Sequence, residues 1–219
     1  MSRRWKIAQA AEIRWWKWYL ARKDKTAYLD WKKHYWQTFW DKLPSHPEAA
    51  ASVLDAGCGP AGINMILDKY QVTAIDPLLD QYQAQIDHFQ PEAFPWVSYQ
   101  KKQLEELEDT HVFDWIFCLN VINHVADLDQ SMQKLWRSLR PGGTLVVSVD
   151  AHRYAWFKAL LRILPTDILH PHQYDLQEYE EMLTPADGCL EASYLYQSEF
   201  WFNYHILLIK KSSDETSTH

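Results

Sequence analysis

The chain has 219 residues, twelve of them tryptophan, and a formal net charge of -7. That length supports one domain with a sizeable core, and no apolar run reaches the roughly 18 residues of a membrane span. The charge is segregated: residues 1–42 hold 11 Lys and Arg against 4 Asp and Glu, a net of +7, and the rest hold 11 against 25, a net of -14. The acidic bulk excludes broad nucleic-acid binding, which needs a dominant basic surface.

The N-terminus is basic with no apolar stretch behind it, so no signal peptide is expected. Residues 5–22 and 27–42 read as two helices. In the second, Trp31, Tyr35, Trp36, Phe39 and Trp40 recur at helical spacing as one aromatic face, with Lys32 and Lys33 beginning the opposite side. Leu43-Pro44-Ser45-His46-Pro47 is a linker by its prolines. Strand and helix signals then alternate. Strands are expected at Ser52 to Ala56, Val72 to Ile75, Trp96 to Tyr99, Phe113 to Leu119 and Thr144 to Val149, and helices at Ile63 to Tyr70, Leu79 to Phe89 and Leu128 to Leu139. Arg140 to Gly143 is a turn. This alternation predicts a mostly parallel sheet with helices on both faces. After Asp150 a helix is expected at Tyr154 to Leu164, a His-rich loop at Ile168 to Asp175, and a helix at Leu176 to Leu183. Leu190 to Gln197 and Phe202 to Lys210 follow as a hairpin, so at least one strand is antiparallel. The polar tail from Ser212 reads as disordered. Cys58, Cys118 and Cys189 lie far apart and form no metal spacing, which predicts reduced thiols in a cytoplasmic protein and no bound metal.

Val53-Leu54-Asp55-Ala56-Gly57-Cys58-Gly59-Pro60-Ala61-Gly62 holds three glycines behind a short strand. Ligands of open α/β sheets sit at the carboxyl ends of strands. Glycine there permits unusual φ and lets a ligand touch the backbone, and a following helix N-terminus favours a carboxylate or phosphate. Asp76, ending the next strand, can accept hydrogen bonds from both hydroxyls of a ribose. These features serve a nicotinamide dinucleotide and S-adenosylmethionine (SAM) about equally.

Four motifs occur in order: Asp55-x-Gly57-x-Gly59, Asp76, Phe113-Asp114-x-Ile116, and Leu139-x-Pro141-Gly142-Gly143 before a strand. With them the chain resembles class I SAM-dependent methyltransferases over residues 50 to 150, and through the terminal hairpin. The stretch Tyr99 to Leu107, then Phe113-Asp114 and Cys118 to Val125, is similar to the small-molecule O-methyltransferases of ubiquinone biosynthesis. The resemblance implies a Rossmann-like, seven-stranded α/β fold that uses SAM and leaves S-adenosylhomocysteine (SAH). It implies that Gln103 and Leu104 flank the adenine and that Asn120 lies near the methionine portion. One departure is that Asn120 and Asn123 stand where those enzymes carry acids, which argues against a divalent metal and against carrying over a quinol-type substrate. Tyr35 and Trp36 precede the core where such enzymes often fold a helix over SAM; an aromatic ring there closes the pocket and attracts the sulfonium. The same rings also read as ordinary packing on the core. The head Ala8 to Trp16 resembles the leading helices of some uncharacterised bacterial methyltransferases.

Methyl transfer needs positioning above all, with a base where the acceptor is a hydroxyl or protonated amine. His124 is the candidate base. Its competing reading is a helix-start residue with structural hydrogen bonds. Asn123 beside it, His152 after the fifth strand, and His170, His172 and Tyr174 in the later loop are candidate substrate residues. The expected organisation is a helical cap at 1–46, a SAM-binding core at 47–211 and a tail at 212–219. The expected partner is a small-molecule methyl acceptor. Arg3, Arg4, Lys6, Arg14 and Lys17 interleave with Trp5, Trp15, Trp16 and Trp18, a pattern of membrane-surface helices that equally draws in an anionic substrate; Asp24, Asp30 and Asp41 weigh against the membrane reading. The rivals from other classes are a nicotinamide oxidoreductase and a non-catalytic SAM-binding module.

Overall fold

The structure is a computed structural model that describes residues 3–152, 175–198 and 202–213, with the side chains of 9–149, 175–197 and 203–213. The expected helix at Tyr154 to Leu164, nearly all of the His-rich loop and most of the tail lie outside these residues. Seven strands lie in one sheet in the order Val97–Gln100, Gln71–Ile75, Ser52–Ala56, Phe113–Cys118, Leu139–His152, Phe202–Lys211 and Gly188–Ser198. The chain divides into two compact units, Met1–Gln103 and Leu104–His219.

The first unit opens with helices α1 (Arg3–Leu20) and α2 (Lys25–Asp41). Asp24 caps α2 by accepting from the Ala27 amide at 2.9 Å. Tyr28, Trp36 and Phe39 are buried, whereas Trp31 stays half exposed, so the aromatic face is only partly core. Lys32 does not turn away from it: its ammonium lies over the rings of Trp31, Tyr35 and Trp36 at 5.1 to 5.5 Å. Strands β1 (Ser52–Ala56), β2 (Gln71–Ile75) and β3 (Val97–Gln100) pair in parallel. Their connections are shorter than the hydrophobic pattern suggests. Between β1 and β2 stands a single 3-10 turn, Ile63–Ile66, in place of the helix expected to Tyr70. The reason is local capture of Asn64. Its amide donates to Asp55 and its carbonyl accepts from the Trp96 indole at 3.0 Å, so that carbonyl is turned to a tertiary partner. The bonds that remain, Met65 to Gly62, Leu67 to Asn64 and Tyr70 to Leu67, all span three residues. Helix α3 (Leu79–Gln85) likewise ends before Phe89, because Ile86 is extended and Phe89 folds back into the core.

In the second unit β4 (Phe113–Cys118) pairs in parallel with β5 (Leu139–His152). Helix α4 (Leu128–Ser138) joins them, capped by Asp127. Arg140 to Gly143 is not a turn ahead of the strand but a bulge within β5. Phe113 faces Leu139 and Trp115 faces Thr144, so the extra residues loop out. Gly142 has a positive φ of 73° there, and its amide donates to the Ser212 carbonyl. After helix α5 (Leu176–Leu183), β6 (Gly188–Ser198) and β7 (Phe202–Lys211) form the hairpin, with β7 antiparallel to both β5 and β6. Buried Lys211 donates from Nζ to the carbonyls of Trp136 (2.7 Å) and Leu139 (3.0 Å), satisfying the end of α4.

Candidate cofactor site

Strand β1 delivers Asp55 and then the glycine loop. Gly57 and Gly59 have φ of 77° and 56°, a region that side-chain-bearing residues enter at a cost. The amides of Gly57 and Cys58 both donate to the Ile75 carbonyl, at 2.8 and 3.0 Å, which ties the loop to the end of β2. Asp76 begins where β2 stops. Its Oδ2 accepts from the Gly59 amide at 3.0 Å and its Oδ1 from the Leu78 amide at 2.8 Å. Two bonds leave lone pairs on this carboxylate for ligand hydroxyls. A Cβ built on Gly59 would meet only the ring of Trp16, at 4.0 Å, an ordinary van der Waals contact. Gly62 differs. Its φ of -82° is ordinary, but a Cβ would collide with the Asp55 carboxylate and come within 2.5 Å of the Cys58 carbonyl. Gly62 is therefore a packing requirement, whereas Gly57 and Gly59 meet a conformational one.

Asp55 is buried, and its Oδ2 accepts from the amide and Nδ2 of Asn64 at 3.1 and 2.7 Å. Tyr99 in turn donates to Asn64 Oδ1 at 3.0 Å. Burial pushes Asp55 up to about 6 against the Asn64 bonds. Burial, followed by the charge of Glu12, pushes Asp76 up to about 7. Glu12 itself, on α1, touches solvent but is enclosed by protein on its other sides, and that enclosure raises its carboxyl while bonds from Trp16 and Tyr82 oppose the shift. Burial also raises Cys58, so it stays a thiol and lacks the thiolate character of a nucleophile.

The N-terminal helices grip this loop. The Trp36 indole donates to the Ala61 carbonyl at 2.9 Å, and Trp16 stands over Gly59. Tyr35 packs edge-on against Trp36, with ring centroids 4.9 Å apart. The structure thus brings Asp55, Gly57, Gly59, Asp76 and Trp36 together in the first unit, with Tyr35 one ring back from the loop. Gln103 is buried at the end of that unit.

The remaining expected residues belong to the second unit. Leu104 is buried in a 3-10 turn, Leu104–Glu106. Glu105 in that turn accepts from the amides of Ala126 and Asp127, at 2.9 and 3.1 Å. Asn120 follows β4 with φ 60°, a conformation asparagine tolerates. Its amide donates to Ser148 Oγ at 2.7 Å, and Tyr204 donates to the same oxygen. Asn123 is buried and its Oδ1 accepts from Tyr179 at 2.8 Å. His124 closes the 3-10 turn Ile122–His124 and is exposed. The side chain of His152, and all of His170, His172 and Tyr174, lie outside the described residues. Among the described residues no three His, Cys, Asp or Glu gather to hold a metal.

Sequence reasoning missed Asn64, Tyr99 and the approach of Glu12. A polar Asn inside the apolar run Ile63 to Leu67 was the available signal for the first, since a buried amide needs partners.

Comparison with known proteins points to methyltransferases. A methyltransferase domain family matches residues 54–147. A ubiquinone biosynthesis O-methyltransferase of Rickettsia bellii is 31% identical over 156 residues, 67% of this chain and 62% of the relative. The chain thus spans about three fifths of the length of the curated relatives it matches. The YcgJ protein of Bacillus subtilis shares the fold with a TM-score of 0.64 at 14% identity, covering 83% of this chain and 99% of that one. The 1,6-didemethyltoxoflavin-N1-methyltransferase of Burkholderia thailandensis, bound to its substrate and SAH, gives 0.56 at 18%, covering 86% and 87%. The family match runs from the glycine loop through the Pro-Gly-Gly bulge, which a nicotinamide oxidoreductase does not account for. Residues 54–147 are thus similar to a methyltransferase domain, on a fold shared with the SAH-bound Burkholderia enzyme.

Proposed function

We propose that the protein transfers a methyl group from SAM to a small-molecule acceptor. The observation that carries this reading is the Asp76 carboxylate, held by the amides of Gly59 and Leu78 at the end of β2, beside a glycine loop at positive φ. The residues fit the cofactor. A carboxylate with free lone pairs suits a ribose diol, and glycines at positive φ expose their amides. Asp76, whose carboxyl is raised by burial and by the charges of Glu12 and Asp55, suits a ligand bearing positive charge.

When bound, SAM supplies an electrophilic methyl on sulfur, transferred with the acceptor lone pair forming the new bond and SAH departing. The chain's share is positioning and exclusion of water. Asp76 would orient the ribose, and Gln103 and Leu104 would flank the adenine. Asn120 would face the methionine portion, with Trp36 and Tyr35 covering the site. His124 would take the proton released by a hydroxyl acceptor. Its exposure allows that role, and imidazole is the side chain most often used as a general base. Asn123, Tyr174, His152, His170 and His172 would shape the acceptor side; the bond from Tyr179 makes Asn123 a positioning residue among them. On this reading residues 1–46 are the cap, 47–211 the core and 212–219 a tail. The three cysteines are free, in keeping with a reducing cytoplasm.

The test is transfer of labelled methyl from SAM to a panel of phenols, amines and thiols. His124→Ala is expected to lower kcat roughly a hundredfold on a hydroxyl acceptor while leaving SAM binding intact. Full activity of that variant would remove His124 from the chemistry, and turnover on no acceptor would favour the non-catalytic module.

A further inference from the structure

The N-terminal helices leave a face that the cofactor site does not use. Ile13 and Leu20 bury one side of α1. On the opposite side Trp15 and Trp18 are 49% and 59% exposed, and Trp31 of α2 is 50% exposed. Trp15 and Trp31 are linked through two tyrosines. Trp15 stacks on Tyr19 at 4.9 Å, Tyr19 meets Tyr28 at 6.2 Å, and Tyr28 meets Trp31 at 5.8 Å. One aromatic band therefore runs from α1 to α2.

Cations border this band. Arg14, Lys17, Arg22, Lys23 and Lys25 are exposed. At 100° per residue Arg14, Trp15 and Trp18 share one face of α1; Lys17 lies at its edge, bonded to Gln85 of α3 at 3.3 Å, and Arg22 follows just past the helix end. Arg22 lies over the Trp18 ring at 5.3 Å and Lys23 over Tyr19 at 4.5 Å. None of these five cations is paired with a carboxylate among the described residues. The acids of the head are engaged elsewhere: Glu12 accepts from Tyr82, Asp24 caps α2 and Asp41 accepts from Gln37, leaving Asp30. The head keeps its net charge of +7 (11 against 4 over residues 1–42) while the rest of the chain carries -14.

We propose that this face docks on an anionic membrane surface, with α1 lying parallel to it. Indoles flanked by long cationic side chains match the headgroup boundary, where the ring sits at the interface and the charge meets lipid phosphate. The opposed charge of the remainder turns the head toward such a surface. A second copy of the chain, offering its acidic bulk, is the competing occupant. Three half-exposed indoles on these helices favour lipid, because an acidic surface rewards the cations but not the rings.

The test is co-sedimentation of the full chain with vesicles of phosphatidylcholine alone and with phosphatidylglycerol added. Binding is expected only with the anionic lipid. Trp15→Ala/Trp18→Ala/Trp31→Ala is expected to weaken it at least about tenfold, and each of Arg14→Gln, Arg22→Gln and Lys25→Gln roughly fivefold. Calorimetric SAM binding checks that the variants remain folded, and single Trp18→Ala, at the most exposed ring, serves if the triple variant does not. Equal binding to neutral vesicles, no binding, or binding indifferent to these changes overturns the proposal. So does self-association in sedimentation velocity that the Trp variants abolish.

Discussion

The residues that fix the cofactor reading are two buried aspartates at strand ends. Each has a raised pKa in the fold, about 6 for Asp55 and about 7 for Asp76, chiefly through burial. A carboxyl whose folded pKa lies above its unfolded value near 3.8 favours folding when protonated. That stability is complete below the unfolded value and is lost as pH rises through the folded value. Urea unfolding of the ligand-free protein should therefore show stability declining from about pH 4 to about pH 7, and Asp76→Asn should flatten the decline. SAM affinity should run the other way, rising over the same window as Asp76 ionises, with proton release near neutral pH visible as a buffer-dependent heat. Both aspartates were legible because a carboxylate at the end of an apolar strand has few structural uses. Glu12 was not, because its approach depends on how α1 packs on α3 through Tyr82.

Elements were legible in existence more than in extent. Every strand and the terminal hairpin follow from apolar runs and turn residues. The helix expected at Ile63 to Tyr70 fails because Asp55 and Trp96 claim the backbone of Asn64, a tertiary override that periodicity does not register. Gly62→Ala should test that arrangement. The methyl group would overlap the Asp55 carboxylate, so a loss of about 3 kcal/mol in urea unfolding is expected, with loss of SAM binding. Gly142→Ala in the β5 bulge should cost about 1 kcal/mol through its positive φ alone and leave SAM binding unchanged. Trp36→Phe removes the indole donor to Ala61. It should cost about 1 kcal/mol and loosen the cap, seen as faster hydrogen exchange in the glycine loop.

At the scale of the whole molecule, alternating strand and helix signals and a final hairpin were enough to anticipate a mostly parallel sheet ending in antiparallel strands, while the count of seven came with the family resemblance and the strand order came from the structure. Each inward strand is apolar and each reversal is marked by Gly, Pro or Asp. Function was legible as far as the glycine loop and Asp76 reach, because those residues answer to the cofactor's shape. The acceptor side rests on side chains such as His124, whose type permits many roles and whose spacing selects none.

The most direct test of the account is calorimetric titration of the wild type and Asp76→Ala with SAM, SAH and NADH. Binding of both adenosyl ligands at roughly micromolar affinity is expected, weakened at least about tenfold by the substitution, with no heat from NADH. Binding of NADH alone, or SAM binding that Asp76→Ala leaves untouched, would contradict it.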